Sequence, residues 1–303
     1  MRVLLTGVSS FTGLWFARGL RAAGCEVVAP LQASAYGDTL RHARIEEAAR
    51  VAEIIPAAPF GSDAFLKLLE RGFDVVCHHG EEIANPRSLE FNVERAAADA
   101  TVNAAATLQA AWRSGVKRLV LTGSVSEEGE GRSAQPLAAF GPYGLFKTLT
   151  GRAFQAAADK AWLDVVKVVV PSPFGPYEAQ ALQRQAMTRW RDGQPVRVSH
   201  PFYGRDHAPV DLLAKVYARA AAGDLGAHVS PSVYAGRVGD VFERMATEVR
   251  ARNGWVCGLV LAESQQSSEP LERYNLQRIE PAEYGWSESG FWDAYAAYYA
   301  GGG

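Results

Sequence analysis

Cysteine is scarce in this chain. Cys25, Cys77 and Cys257 are an odd number, far apart, and two of them sit in apolar strand-like runs. That spacing excludes a disulfide framework and a structural zinc site, and the compartment expected is a reducing cytoplasm. Long apolar runs are missing too: none reaches the ~18 residues of a membrane span. The opening MRVLLTG enters a strand pattern with no apolar leader or cleavage site before it. No membrane partner is expected. Excess charge of one sign is also lacking, with 31 Lys and Arg against 33 Asp and Glu. No net field draws the chain to nucleic acid or anionic lipid, so a small-molecule partner is expected. His78 and His79 have no third ligand at metal spacing, and no metal is expected.

What the chain has is alternation. Short β-rich runs (RVLLTG, EVVAPL, FDVVCHHG, KRLVLTGS, DVVKVVVP) are separated by helical patterns, among them FTGLWFARGLRAAG, DAFLKLLERG, a long alanine-rich stretch ending in TLQAAWRSG, and a helix from about Tyr143 to Lys160. Near-continuous apolar strands between helices argue for an α/β doubly wound parallel sheet covered on both faces. Past residue 170 the rhythm changes to proline and glycine clusters with fewer, shorter strands. The division expected is a dinucleotide-binding domain over residues 1–170 and a smaller C-terminal substrate-binding domain over 171–303, some segments of which return to the first. Phe291, Tyr295, Tyr298 and Tyr299 recur at helical spacing in GFWDAYAAYYA, which reads as core packing of a terminal helix.

In TGVSSFTG, Gly7 and Gly13 flank the passage from a strand into a helix, where first-turn N–H groups can hold a pyrophosphate. Ser10 stands where a middle glycine would let the backbone approach the phosphates. Its hydroxyl adds bulk there and also offers a hydrogen bond to a phosphate oxygen. Downstream, LTGSVS ends a strand with Ser124, and PYGLFK places Tyr143 and Lys147 four apart on one helix face. A phenol with an ordinary pKa of about 10 needs a neighbouring positive charge to exchange protons near neutrality, and Lys147 supplies one. Tyr143 is then a candidate general acid/base and Ser124 a candidate anchor for a reacting oxygen.

On these motifs nearly the whole chain resembles the extended short-chain dehydrogenase/reductases, the NAD-dependent epimerase/dehydratase family. TGVSSFTG resembles their TGxxGxxG loop, Ser124, Tyr143 and Lys147 their catalytic triad, and PSPFGP the segment that closes over the nicotinamide. GRDHAPVDLLA resembles the stretch whose arginine grips a substrate diphosphate. The resemblance implies a Rossmann-type fold and an NAD(P)-dependent oxidoreductase acting at a sugar carbon, C4 of a nucleotide-activated sugar, as an epimerase or a ketoreductase. It implies cofactor contacts from Gly7, Ser9, Ser10, Phe11, Thr12, Gly13, Leu31, Gln32, Phe60, His78, Gly80 and Pro171. Glu81, Ser172 and Arg205 would face the substrate. A homodimer through the helices at 91–114 and 143–160 is implied as well. The alternative is a cofactor-sensing or scaffold protein that keeps the fold without turnover.

The chain departs from the family pattern at several points. Ser10 replaces a glycine. Leu31 and Gln32 stand where NAD-preferring members carry an acid for the ribose 2′-OH, which leans the cofactor toward NADP over NAD, with Ser34 or Arg41 as contacts for a 2′-phosphate. Val125 and Ser126 follow Ser124 where sugar dehydratases carry an Asp-Glu pair, and Glu127 and Glu128 come later, so dehydration is disfavoured. Ala100 takes the place of the Asn of the family's NVxGT helix. A second diphosphate-binding arginine finds no match in VLAESQQSSEP.

Overall fold

A computed structural model of the chain describes residues 1–32, 38–81, 91–179, 181–263 and 269–302. Ser34 lies outside the described residues. The chain forms two compact units: Met1–Glu130, Leu137–Val170 and Ala214–Ser230 make the first, and Gly131–Pro136, Pro171–Leu213 and Pro231–Gly303 the second.

The first unit holds strands β1 (Arg2–Leu5), β2 (Glu26–Pro30), β3 (Glu53–Ile55), β4 (Val75–His78), β5 (Arg118–Ser124) and β6 (Asp164–Val170). Its helices are α1 (Phe11–Ala22), α2 (Thr39–Ala48), α3 (Asp63–Leu69), α4 (Val93–Thr101), α5 (Ala104–Arg113) and α6 (Gly141–Lys160). The sheet runs His228–Val229, β6, β5, β4, β1, β2, β3, with every pairing parallel. Strand order reverses between β1 and β4, and a crevice outside their carboxyl ends is where such a sheet takes its ligand. The strands are apolar because both faces are covered: Val3, Leu4 and Leu5 are fully buried. Ser10, Asp38, Ser62 and Asn92 each start a helix by accepting the N–H three residues on. Leu4, Val76, Leu119, Leu121, Leu108, Phe65 and Phe154 share one core cluster.

The alanine-rich stretch read as one helix divides into α4 and α5 around Val102 and Asn103. Asn103 sits at φ −104° and ψ 6°, and its amide donates to the Gly61 carbonyl at 3.3 Å. A Cβ on Gly61 would stand 2.7 Å from that of Asn103. This contact between two loops turns the chain where alanine propensity alone would have continued the helix.

In the second unit the buried strand Gly204–Pro209 pairs antiparallel with Tyr234–Arg237 and parallel with Ser172–Phe174 and Glu272–Arg273. Its core is aromatic: Phe174, Trp190, Phe242, Phe291, Trp292, Tyr295 and Tyr299 are all buried. Into it projects Glu178, 1% exposed, whose Oε1 accepts from the Tyr295 and Tyr299 hydroxyls at 2.7 and 3.0 Å. Burial pushes this carboxyl up to about 7 against the tyrosine bonds that favour its charge.

The folded chain therefore holds the Glu178 proton more tightly than the unfolded chain does. This stabilisation is complete below the unfolded-state value of about 4.5 and falls by about 3 kcal/mol as pH rises through 7. Glu178→Gln is expected to raise the melting temperature at pH 8, with the gain fading by pH 5. Calorimetry across that range checks it, and a gain independent of pH would contradict the assignment.

Candidate active site

At the crevice the chain leaves β1 and β4 backbone against backbone. Gly7 has φ +80°, and a Cβ there would stand 2.5 Å from Gly80 Cα, as one on Gly80 would stand 2.5 Å from Gly7 N. Thr6 Oγ1 fastens the approach by accepting the His79 and Gly80 N–H groups at 3.0 and 2.9 Å. Gly13 is equally constrained, since its Cβ would lie 2.1 Å from the Gly7 carbonyl oxygen. The turn thus brings α1 N-terminus first to the sheet edge. There Phe11 and Thr12 supply first-turn N–H groups that a helix leaves without an intrahelical acceptor.

The serine in the glycine turn now has a structural reason. Ser10 caps α1, its Oγ accepting the Gly13 N–H at 3.0 Å, and it lies 2.9 Å from His79 Nε2, which is also 3.0 Å from Thr12 Oγ1. The hydroxyl is directed into the turn. Burial drives His79 down to about 3, so its imidazole is neutral when it meets the two hydroxyls. His78 is held down to about 4, again chiefly by burial, and its ring lies 4.5 Å from that of Phe60 and 4.2 Å from that of Phe154. The His78 and Phe60 side chains therefore pack into the core beneath the crevice. Ser9 and Phe11 remain half-buried in the turn.

Beyond β2, Leu31 is buried and its backbone bonds to Ile55 and Ala58, while Gln32 is half-buried. Arg41 lies one turn into α2, with its guanidinium 3.4 Å from Asp38.

Ser124 ends β5, and α6 starts against the segment that follows it. Phe140 N–H donates to the Ser126 carbonyl at 3.1 Å, and a Cβ on Gly144 would stand 2.3 Å from that oxygen. Ser124 Oγ lies 2.8 Å from Ser126 Oγ. Tyr143 is 38% exposed, yet the protein around its oxygen still holds the phenol above its ordinary 10; Lys147 pulls it down, and Glu81 and Glu127 push it back. Lys147 Nζ meets Glu81 Oε2 at 2.6 Å, with both side chains under 10% exposed (9% and 7%). Burial opposes the ammonium, but Glu81 foremost, then Tyr143 and Glu127, hold it above 10.5. Glu81 thus meets the Lys147 ammonium, and the pair shares a narrow cavity with His78, Glu127 and Lys167.

In the second unit, Pro171 is buried, and Ser172, half-buried, pairs with His207 in the central strand. Arg205 is 7% exposed. Its Nη2 reaches Glu269 at 3.1 Å and the Pro270 carbonyl at 2.9 Å. Arg273, fully buried, lies directly across from it in the parallel pair Gly204↔Glu272, Arg205↔Arg273. Arg273 lies three residues beyond the VLAESQQSSEP segment. Thr6, Lys167, Glu130 and His228 meet partners distant in sequence, which no local spacing reveals.

The parallel sheet in this order, with a glycine turn at its switch point, defines a Rossmann-type α/β protein. Residues 3–248 match the NAD dependent epimerase/dehydratase family, and the chain belongs to that family. No curated protein matches the sequence directly. Among solved structures it is similar to a UDP-glucuronic acid 4-epimerase from Bacillus cereus in complex with UDP-glucuronic acid and NAD (15% identity, 99% of each chain, TM-score 0.73). It is also similar to a UDP-glucose 4-epimerase from Thermotoga maritima with UDP-glucose (18%, 100% of this chain and 99% of that one, TM-score 0.73). A third is a UDP-N-acetylglucosamine 4-epimerase from Methanobrevibacter ruminantium in complex with UDP-N-acetylmuramic acid (15%, 100% and 99%, TM-score 0.75). Among the described residues no helix is long and apolar enough to cross a membrane.

Because Ser10 acts as a cap, Ser10→Ala is expected to destabilise the protein by about 1 kcal/mol and Ser10→Gly by only a few tenths. Urea unfolding measures both. Dinucleotide affinity should be unchanged in Ser10→Gly; a tenfold loss would mean that the hydroxyl serves a phosphate instead.

Proposed function

We propose that this protein is an NAD(P)-dependent oxidoreductase that moves a hydride at a sugar carbon, C4 of a nucleotide-activated sugar, either as an epimerase or as a 4-ketoreductase. The observation that carries this reading is the placement of Tyr143 and Lys147 one turn apart on α6, beside the segment that begins with Ser124, at the carboxyl edge of the sheet.

The crevice suits a dinucleotide. Gly7, Gly80 and Gly13 leave room that Cβ atoms would fill, and the α1 N-terminus favours a pyrophosphate. Gly7, Ser9, Phe11, Thr12 and Gly13 would line that part, and Lys147 would hold the nicotinamide ribose. No carboxylate stands at Leu31 or Gln32 to repel a 2′-phosphate, which supports NADP alongside NAD. When bound, the nicotinamide supplies or takes the hydride. The chain's own part is the proton. Tyr143 gives its hydroxyl proton to the oxygen of a ketone or accepts one from an alcohol, Lys147 lowers the cost of the phenolate, and Ser124 Oγ donates to the reacting oxygen. Glu81, the counter-ion of Lys147, opposes that effect, so its ion pair must loosen when the ammonium takes up the ribose.

Arg205 would present its guanidinium to the substrate diphosphate, with Arg273 buried beside it on the adjacent strand. The UDP-sugars in the complexes of the structural relatives support this substrate class. The same reading includes a cytoplasmic homodimer through α4, α5 and α6, where Leu145 and Leu149 are 46% and 38% exposed.

The test is to incubate the protein with NADPH or NADH and a panel of nucleotide sugars and 4-keto-sugars. Tyr143→Phe should lower kcat by about 10²–10⁴ with dinucleotide binding intact, and Arg205→Met should raise KM for the diphosphate substrate. Wild type as inert as Tyr143→Phe, with dinucleotide bound by both, would favour the catalytically silent reading.

A further inference from the structure

A line of ionic contacts runs along the first unit, apart from the groups given roles above. Glu127 is buried; its Oε1 accepts the Ser124 N–H at 2.7 Å, and its Oε2 takes the Lys167 ammonium at 2.6 Å. The same ammonium reaches Glu130 Oε1 at 2.8 Å, and Glu130 Oε2 lies 2.8 Å from His228 Nε2. The side chain of His228 is 42% exposed. Each member touches the next, from a solvent-facing imidazole on the edge strand to the peptide N–H of Ser124.

The fold makes room for this chain of contacts. Lys167 is in register with Leu121 of β5 on one side and His228 on the other. A Cβ on Gly123 would stand 2.6 Å from Lys167 Cε and 2.9 Å from Glu127 Oε1, and one on Gly151 of α6 would stand 3.3 Å from Glu127 Oε2. Glycine on both elements therefore leaves the space that the Glu127–Lys167 pair fills. The cavity described above, with room for about one water, is lined by Glu127 and Lys167 together with Lys147 and Glu81.

Charge counting gives this arrangement two states. With His228 neutral, Glu127 and Glu130 share the Lys167 ammonium and these four groups carry a net charge of −1. With His228 protonated, Glu130 is satisfied by the imidazolium, Lys167 is left to Glu127, and the set is neutral. We propose that His228 is a positioning residue whose protonation, passed through Glu130, Lys167 and Glu127, sets how firmly Ser124 is held and how much negative charge Tyr143 feels. The inference rests on the reading of Ser124 and Tyr143 as reacting-site residues.

The charged groups that act on His228 are Glu130 and Glu127 from the segment after β5 and Lys167 from β6, and its hydrogen bond to Glu130 raises it above 6.5. Those acting on Glu127 are Lys167 and Lys147. Glu127 in turn pushes the Tyr143 phenol upward. At a pH where His228 is neutral, alcohol oxidation, which needs Tyr143 as the phenolate to accept the alcohol's proton, is therefore disfavoured.

The test uses the whole protein and two readouts that need no substrate. The first is NMR titration of His228, whose midpoint should drop on Glu130→Gln and, more tellingly, by roughly 0.3 of a pH unit on Glu127→Gln. The second is hydrogen exchange at the Ser124 amide at pH 8, expected to be about threefold slower in His228→Lys, which keeps the charge, than in His228→Gln. Where a substrate turns over, His228→Lys should oxidise it about threefold faster than wild type at pH 8 with KM unchanged, and His228→Gln should fall about threefold behind wild type at pH 6. A midpoint indifferent to Glu127→Gln, or Ser124 exchange equal in the two His228 variants, overturns the proposal, as do matching kcat profiles in all three proteins. If no substrate turns over, the failure belongs to the proposed activity, and the two substrate-free readouts still decide this inference.

Discussion

At the edge of the first unit's sheet, the chain leaving β1 and the chain leaving β4 come so close that neither Gly7 nor Gly80 could carry a side chain. One hydroxyl, that of Thr6, accepts two N–H groups and holds the approach. The direction of α1, the core position of His78 and the place where Glu81 emerges toward Lys147 all follow from this contact. Loss of the Thr6 oxygen would leave two inner N–H groups without their acceptor, at about 1–3 kcal/mol each. A small steric requirement thus sets the geometry of the glycine turn proposed to meet a dinucleotide.

Electrostatics imposes a second layer on this geometry. Lys147, placed by its helix to assist a phenol, is met by Glu81 at 2.6 Å, with both groups nearly out of solvent. Truncating one partner of such a pair is far more damaging than the pair's net contribution would imply, because the survivor is left buried and charged. The Glu127–Lys167 pair, also in contact at 2.6 Å, lines the same cavity. The first unit therefore keeps opposite charges alternating around the region where a proton is proposed to move.

Much of this was legible in the residues. The alternation of strands and helices gave the parallel sheet and the glycine turn gave the switch point, because each of these signals is local; the spacing of Tyr143 and Lys147 gave their common helix. The terminal aromatic helix packs as its spacing implies, with Phe291, Tyr295 and Tyr299 buried. What was not legible depends on partners distant in sequence. The break at Asn103 comes from Gly61, and the inward turn of Ser10 depends partly on His79. Arg273 gains meaning only when strand register sets it across from Arg205. Lys167, the one charged residue inside the apolar run of a strand that opens on Asp164, was a visible sign of the ionic line, and periodicity alone assigns it no partner.

The three thiols have a use of their own. Cys25 and Cys77 lie in the first unit and Cys257 in the second, all unpaired and buried. Burial pushes each of them above the ordinary thiol value. Thiolate is the reactive form, so an alkylating reagent meets these sulfurs only when the surrounding structure opens. The native chain thus carries built-in reporters of breathing in each half, readable by mass spectrometry without an engineered label.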